Sequence, residues 1–106
     1  LGVDAIHFLI AYRFALDGLS APVWVESWQR VYPTAWIPLA LLEACYQGRF
    51  KATSVDQILR CWQRLGSPRL HFDADFAAHF WPDHVWTRLL PQLQAAVAWQ
   101  EVAVGG

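Results

Sequence analysis

The chain has 106 residues, enough for one domain with its own core. It is 56% hydrophobic with seven Trp and only 16% charged residues, which excludes disorder and leaves more apolar surface than one small domain hides. A net charge of −1 excludes a chain-wide footprint for a phosphate backbone, so any nucleic-acid role must rest on a local patch.

The first predicted helix covers residues 3–17, where Val3, Ile6, Leu9, Ile10, Phe14 and Leu16 recur near helical spacing and Gly18 is the stop. The apolar run DAIHFLIAYRFAL carries Asp4 and Arg13 and is too short to span a membrane. It also lacks the basic start and cleavage site of a signal peptide. A second helix is expected over 22–31, opened by Pro22 and ended before Pro33, with Trp24, Trp28 and Val31 on one face.

TAWIPLALLEACYQGR predicts a third helix, with Thr34 as N-cap, Pro38 in its first turn and Gly48 at its end. A fourth helix is expected from Ser54 to Leu65. There SVDQ has capping-box spacing, Ser54 capping and Gln57 reaching back, and Gly66 and Pro68 close the element. The short connection RFKAT makes residues 34–65 an antiparallel hairpin, with Leu39, Leu42 and Tyr46 facing Val55, Ile58 and Leu59.

DADFAAHF reads as a short helix capped by Asp73 or Asp75 and ended at Pro82. DHVWTRLL and PQLQAAVAWQEVAV read as helical, with Pro91 at a first turn or a kink. No alternating strand pattern of useful length occurs. The expected fold is therefore all-α, a compact bundle of five to seven short helices in a single domain spanning 1–106. The chain contains no Met, so a processed chain or an excerpt of a longer one is expected. Two Cys in a helical chain point to free thiols and a reducing, cytoplasmic compartment.

Nothing in the motif content requires an enzyme, a metal or a cofactor. His7, His71, His79 and His84 make no zinc spacing with Cys45 or Cys61. No nucleophile elbow, phosphate loop or dinucleotide fingerprint is present. HFDAD gathers His71, Asp73 and Asp75, read either as a metal or acid/base cluster or, more simply, as a helix cap beside a solvated His. Cys61 beside Arg60 is either an activated thiol or a small buried apolar group.

Charge does cluster. Arg49, Lys51, Arg60, Arg64 and Arg69 stand against Asp56 alone in residues 49–69. Arg60 and Arg64 are one turn apart, on the side of the fourth helix opposite Ile58 and Trp62. The patch suits phosphates or an acidic partner, or is an ordinary solvated face. Val55, Ile58 and Leu59 are expected in the core, with part of Trp62 reaching the surface. Trp24, Trp28, Trp81 and Trp86 are candidate protein-interface anchors.

ALLEACYQGRFKATSVDQILRCWQRLGSP resembles the C-terminal domain of the DnaD/DnaB primosomal proteins of bacterial replication initiation. Ala44, Gly48 and Arg49 match its Ala–x–x–x–Gly–Lys/Arg helix end. Ile58, Trp62 and Gly66 match its second motif, in which Ser54 stands where the family has Tyr. YPTAWIPLALLEACYQGR is also similar to stretches of cyanobacterial proteins. The resemblance implies non-enzymatic work: contacting a protein partner, and binding single-stranded or duplex DNA, with Arg49, Lys51, Arg60, Arg64 and Arg69 at phosphates and Trp62 stacked on a base. The Ser54 departure removes an aromatic that the family uses for those contacts. The other expected class is a protein–protein adaptor or homo-oligomerisation domain using the Trp-rich apolar surface.

Overall fold

The computed structural model describes residues 2–80. Five helices occur there: α1 (Gly2–Ala11), α2 (Ala21–Val31), α3 (Trp36–Tyr46), α4 (Ala52–Leu65) and α5 (Ala74–Ala78). The described residues form no strand, and the all-α expectation holds. Helices α1 and α2 make one hairpin, α3 and α4 a second. The later expected helices, with Trp81 and Trp86, lie outside the described residues.

Helix α1 ends six residues earlier than its periodicity predicts. Arg13 takes a left-handed conformation with φ 55°, and the Phe14 N–H donates back to the Leu9 carbonyl at 2.9 Å while Arg13 N–H donates to Ile10. This is a Schellman closure with Arg where Gly is usual. Its driving force is tertiary: the turn swings Phe14 into the core against Phe8. The apolar residues after Ala11 therefore continue the core through a turn, not through another helical repeat.

The α3 terminus closes the same way with the expected residue. Gly48 has φ 71°, and the Arg49 N–H reaches the Ala44 carbonyl at 2.9 Å. After α4, Gly66 is left-handed and donates to the Trp62 carbonyl at 2.8 Å. Ala44, Gly48 and Gly66, three residues of the primosomal resemblance, thus serve helix closure.

Two expected caps are not used. Thr34 is not the cap of α3: the helix begins at Trp36 after a turn in which Trp36 and Ile37 N–H groups donate to Pro33 and Thr34 carbonyls. Ser54 is not the cap of α4 either. The helix starts at Ala52, and Ser54 is buried inside it. The reason is backbone pairing between the two hairpin turns. Ala15 N–H donates to the Phe50 carbonyl at 2.9 Å, and Ala52 N–H to the Ala15 carbonyl at 2.8 Å. This bridge holds Lys51 extended and satisfies the first α4 donor without a side chain. Elsewhere the expected signals work: Pro22 stands in the first turn of α2, Tyr32 before Pro33 turns extended, and Asp73 caps α5 through Phe76 N–H at 2.9 Å. The Ser20 cap of α2 is a further local signal, not among those expected.

The core runs through both hairpins. Val55, Ile58, Leu59 and Trp62 of α4 are buried with Leu39, Leu41 and Leu42 of α3 and with Phe8, Val25 and Trp28 of the first hairpin. Trp36 at the start of α3 meets Trp62 near the end of α4 edge to face, centroids 6.2 Å apart, as an antiparallel pair requires. Tyr46 departs from expectation: it is exposed and packs its ring on Phe76, not on α4. Ile58→Ala should cost about 2–5 kcal/mol, the usual loss for a buried large-to-small change. A thermal melt matching the parent's would place Ile58 outside the core.

Candidate interaction site

Helix α4 has one apolar and one polar side. At about 100° per residue, Val55, Ile58, Leu59 and Trp62 fall together, and Gln57, Arg60 and Arg64 fall opposite them. Trp62 is 2% exposed. The expected surface stacking role for it is corrected: its ring is core, closed over by Trp36. Arg60 and Arg64 do face solvent. Arg49 joins their face through a long contact to Gln57, Nη2 to Oε1 at 3.4 Å. Lys51 departs from this group, lining a separate recess with Ala15, Asp17 and Thr53. Arg69 donates to Ser67 in the segment after α4. The five basic residues therefore do not form one patch; Arg49, Arg60 and Arg64 form a row, and the other two lie off it.

The aromatic candidates also separate. Trp28 is 1% exposed, which corrects its expected role as an interface anchor. A buried indole needs an acceptor, and its Nε1–H donates to Asp56 Oδ1 at 3.0 Å. The other Asp56 oxygen accepts from Arg60 Nε at 2.7 Å. One carboxylate on α4 thus binds a core Trp of α2 and aims a surface Arg. Trp24 is half-buried, its Nε1–H donating to the Leu16 carbonyl at 2.7 Å, and one part of its ring stays open.

Between α2 and α4 these groups line an open groove of about 500 Å³, formed by Trp24, Ser27, Trp28, Val31, Tyr32, Asp56, Arg60 and Gln63. The hydrogen bond to Asp56 pushes the Arg60 pKa still higher, so the guanidinium is charged at any working pH. Burial, then the Asp56 charge, push the Tyr32 phenol up, so its hydroxyl stays protonated. Val31 and Val23 on the α2 side are half exposed.

A second polar centre was not legible as a site. Glu43 sits at 1% exposure in apolar α3. Its Oε1 accepts the His71 N–H at 2.7 Å. Its Oε2 meets His71 Nδ1 at 2.8 Å and Gln47 Nε2 at 2.6 Å. The carboxylate pins the segment after α4 onto α3. The signal in the sequence was a lone Glu inside WIPLALLEACY, where a buried charge demands partners. The HFDAD cluster resolves accordingly: His71 faces Glu43, and Asp73 caps α5. Cys45 is buried and its thiol is pushed up to about 12 by desolvation, while Cys61 is half-buried; both are free thiols. Asp4 is buried in the first turn of α1, its Oδ2 without a hydrogen-bond partner among the described residues. No helix of the described residues is long and apolar enough to cross a membrane.

Compared with protein-family models, with curated proteins and with solved structures, the chain finds no match.

Replacing Glu43 by Leu removes every acceptor while keeping bulk. The expected cost is about 1–3 kcal/mol, from the hydrogen bonds lost to the exposed residues His71 and Gln47, and Glu43→Gln, which retains one acceptor, should cost less. The His71 amide should exchange at least about tenfold faster in the Leu variant. Unchanged exchange at His71 would show that Glu43 does not hold this segment.

Proposed function

We propose that this domain is a non-enzymatic helical interaction module that docks a protein partner against the surface shared by α2 and α4. The observation that carries the reading is the groove beside the exposed aliphatic edge of α2, with Arg60 held at its rim by Asp56. Half-exposed Val23 and Val31 next to a partly accessible indole are the apolar centre of an interface, and Arg60 at the border is part of its polar rim. Arg residues and a Trp are also the types that dominate interface energetics.

The resemblance to the DnaD/DnaB C-terminal domain supports the same class of work, but its matched residues act in the hairpin. Ala44, Gly48 and Gly66 close helices, while Ile58 and Trp62 pack the core. Contact with DNA is the second reading, supported by the row Arg49, Arg60 and Arg64. With Trp62 in the core, that reading rests mainly on phosphate contacts and would be strongly salt-dependent. Association with a second copy of the chain through the same aliphatic edge is the remaining form of the protein reading.

Bait protein carrying a photo-crosslinker at Val23 tests the proposal in extract of the source cells, with and without nuclease. A nuclease-resistant crosslink that disappears in Val31→Asp is expected. Single-stranded DNA anisotropy should change little between the parent and that variant. Crosslinks that vanish with nuclease, together with DNA binding lost in Arg60→Gln and Arg64→Gln, would overturn the protein reading in favour of DNA.

A further inference from the structure

The α2–α4 groove has a chemistry that selects among protein partners. Building on the docking role proposed for this face, we infer that its occupant is an amphipathic helical segment carrying a carboxylate beside its aliphatic residues.

The first ground is the hydrogen-bonding capacity left open. Among the described residues, the charged groups lining the groove are Asp56 and Arg60. Both Asp56 oxygens are engaged, one by the Trp28 indole and one by Arg60 Nε. Arg60 spends only Nε on a described residue, and its side chain is 72% exposed. The guanidinium therefore presents its Nη groups outward, and a planar pair of donors matches a carboxylate in bidentate geometry. Asp56 holds that guanidinium in place before any partner arrives, which lowers the ordering cost of binding. The neighbouring charges on the same α4 face, Arg64 one turn on and Arg49 at its head, have the same sign. A basic partner would meet three guanidinium groups there.

The second ground is shape. At about 100° per residue, Val23, Ser27 and Val31 line up along the α2 edge, with Trp24 beside them. Val23 and Val31 are 48% and 57% exposed. They lie eight positions apart along the helix, about 12 Å. That is the length over which a helical partner places residues at i, i+3 or i+4, and i+7. An apolar edge with the Arg60 guanidinium across the groove, and Arg64 farther round α4, fits an amphipathic helix with a carboxylate beside its aliphatic residues.

The test uses the intact chain and two short fluorescein-labelled helical peptides, each with leucines along one face. One carries glutamates beside the leucines, the other lysines. The acidic peptide should bind saturably, and the basic one at least about tenfold more weakly. Arg60→Gln and Val31→Asp should each weaken the acidic peptide by about tenfold, the loss expected at the centre of an interface. Both positions are on the surface, and circular dichroism should match the parent for each. Equal affinity for the two peptides, unchanged affinity in either variant, or no saturable binding of the acidic peptide would overturn the inference. If Val31-dependent crosslinks to a partner persist while the acidic peptide fails, the partner's chemistry is wrong and the docking face stands. If the crosslinks fail as well, the face itself is wrong. Single-stranded DNA displacing the bound peptide with no loss in Val31→Asp would assign the row of arginines to nucleic acid and also overturn the inference.

Discussion

The Asp56 carboxylate joins the two halves of the structure. Burying Trp28 removes a large apolar ring from water, but its indole N–H must then find an acceptor inside. Asp56 on α4 supplies it across the boundary between the hairpins. That carboxylate is part-buried, and its other oxygen accepts from Arg60, one turn later on the same helix, at 2.7 Å. The Trp28 contact ties α2 to α4 at this point, beside the groove between them, while the Arg60 contact stays within α4. Fold and candidate site therefore share one side chain, and the groove is built on helices already locked by the core.

Two other tethers act at separate places. The hairpin turns are sewn together by backbone bonds from Ala15 to Phe50 and from Ala52 to Ala15, with Phe14 and Phe50 in ring contact beside them. Glu43 fastens the chain that follows α4 back onto α3 through the His71 backbone and ring. The first tether gives the N–H of buried Ala52 an acceptor, and the second supplies donors to the buried Glu43 carboxylate. With α2 held to α4 at mid-helix and the turns held at one end, a partner docking in the groove would meet a preformed surface.

Sequence periodicity made the helices and most of their ends legible because the deciding forces are local there. Pro33 forces Tyr32 extended, Gly48 and Gly66 take left-handed conformations, and Asp73 caps α5, each through groups a few residues away. The failures share the opposite cause. Arg13 turns left-handed where Phe14 enters the core, its ring meeting Phe50 of the second hairpin as well as Phe8. Ser54 loses its capping role because Ala15, far away in the chain, already supplies the acceptor. The polar side of α4 was readable from angle alone, so Arg60 and Arg64 were placed outward correctly. Trp62 was not, since a ring at the edge of an apolar stripe is buried or exposed according to what lies across from it, here Trp36. The groove itself could not be read, because it belongs to two helices whose packing depends on the Trp28–Asp56 contact.

That contact is measured most directly by a double-mutant cycle on folding stability. Trp28→Phe keeps an aromatic core residue and deletes the N–H, and Asp56→Ala deletes the acceptor. If Asp56 joins the hairpins as described, the two changes together should cost about 1–2 kcal/mol less than the sum of their separate costs, the coupling of a charge-assisted hydrogen bond. Costs that simply add would mean the two residues do not interact, and the shared origin of fold and groove would be contradicted.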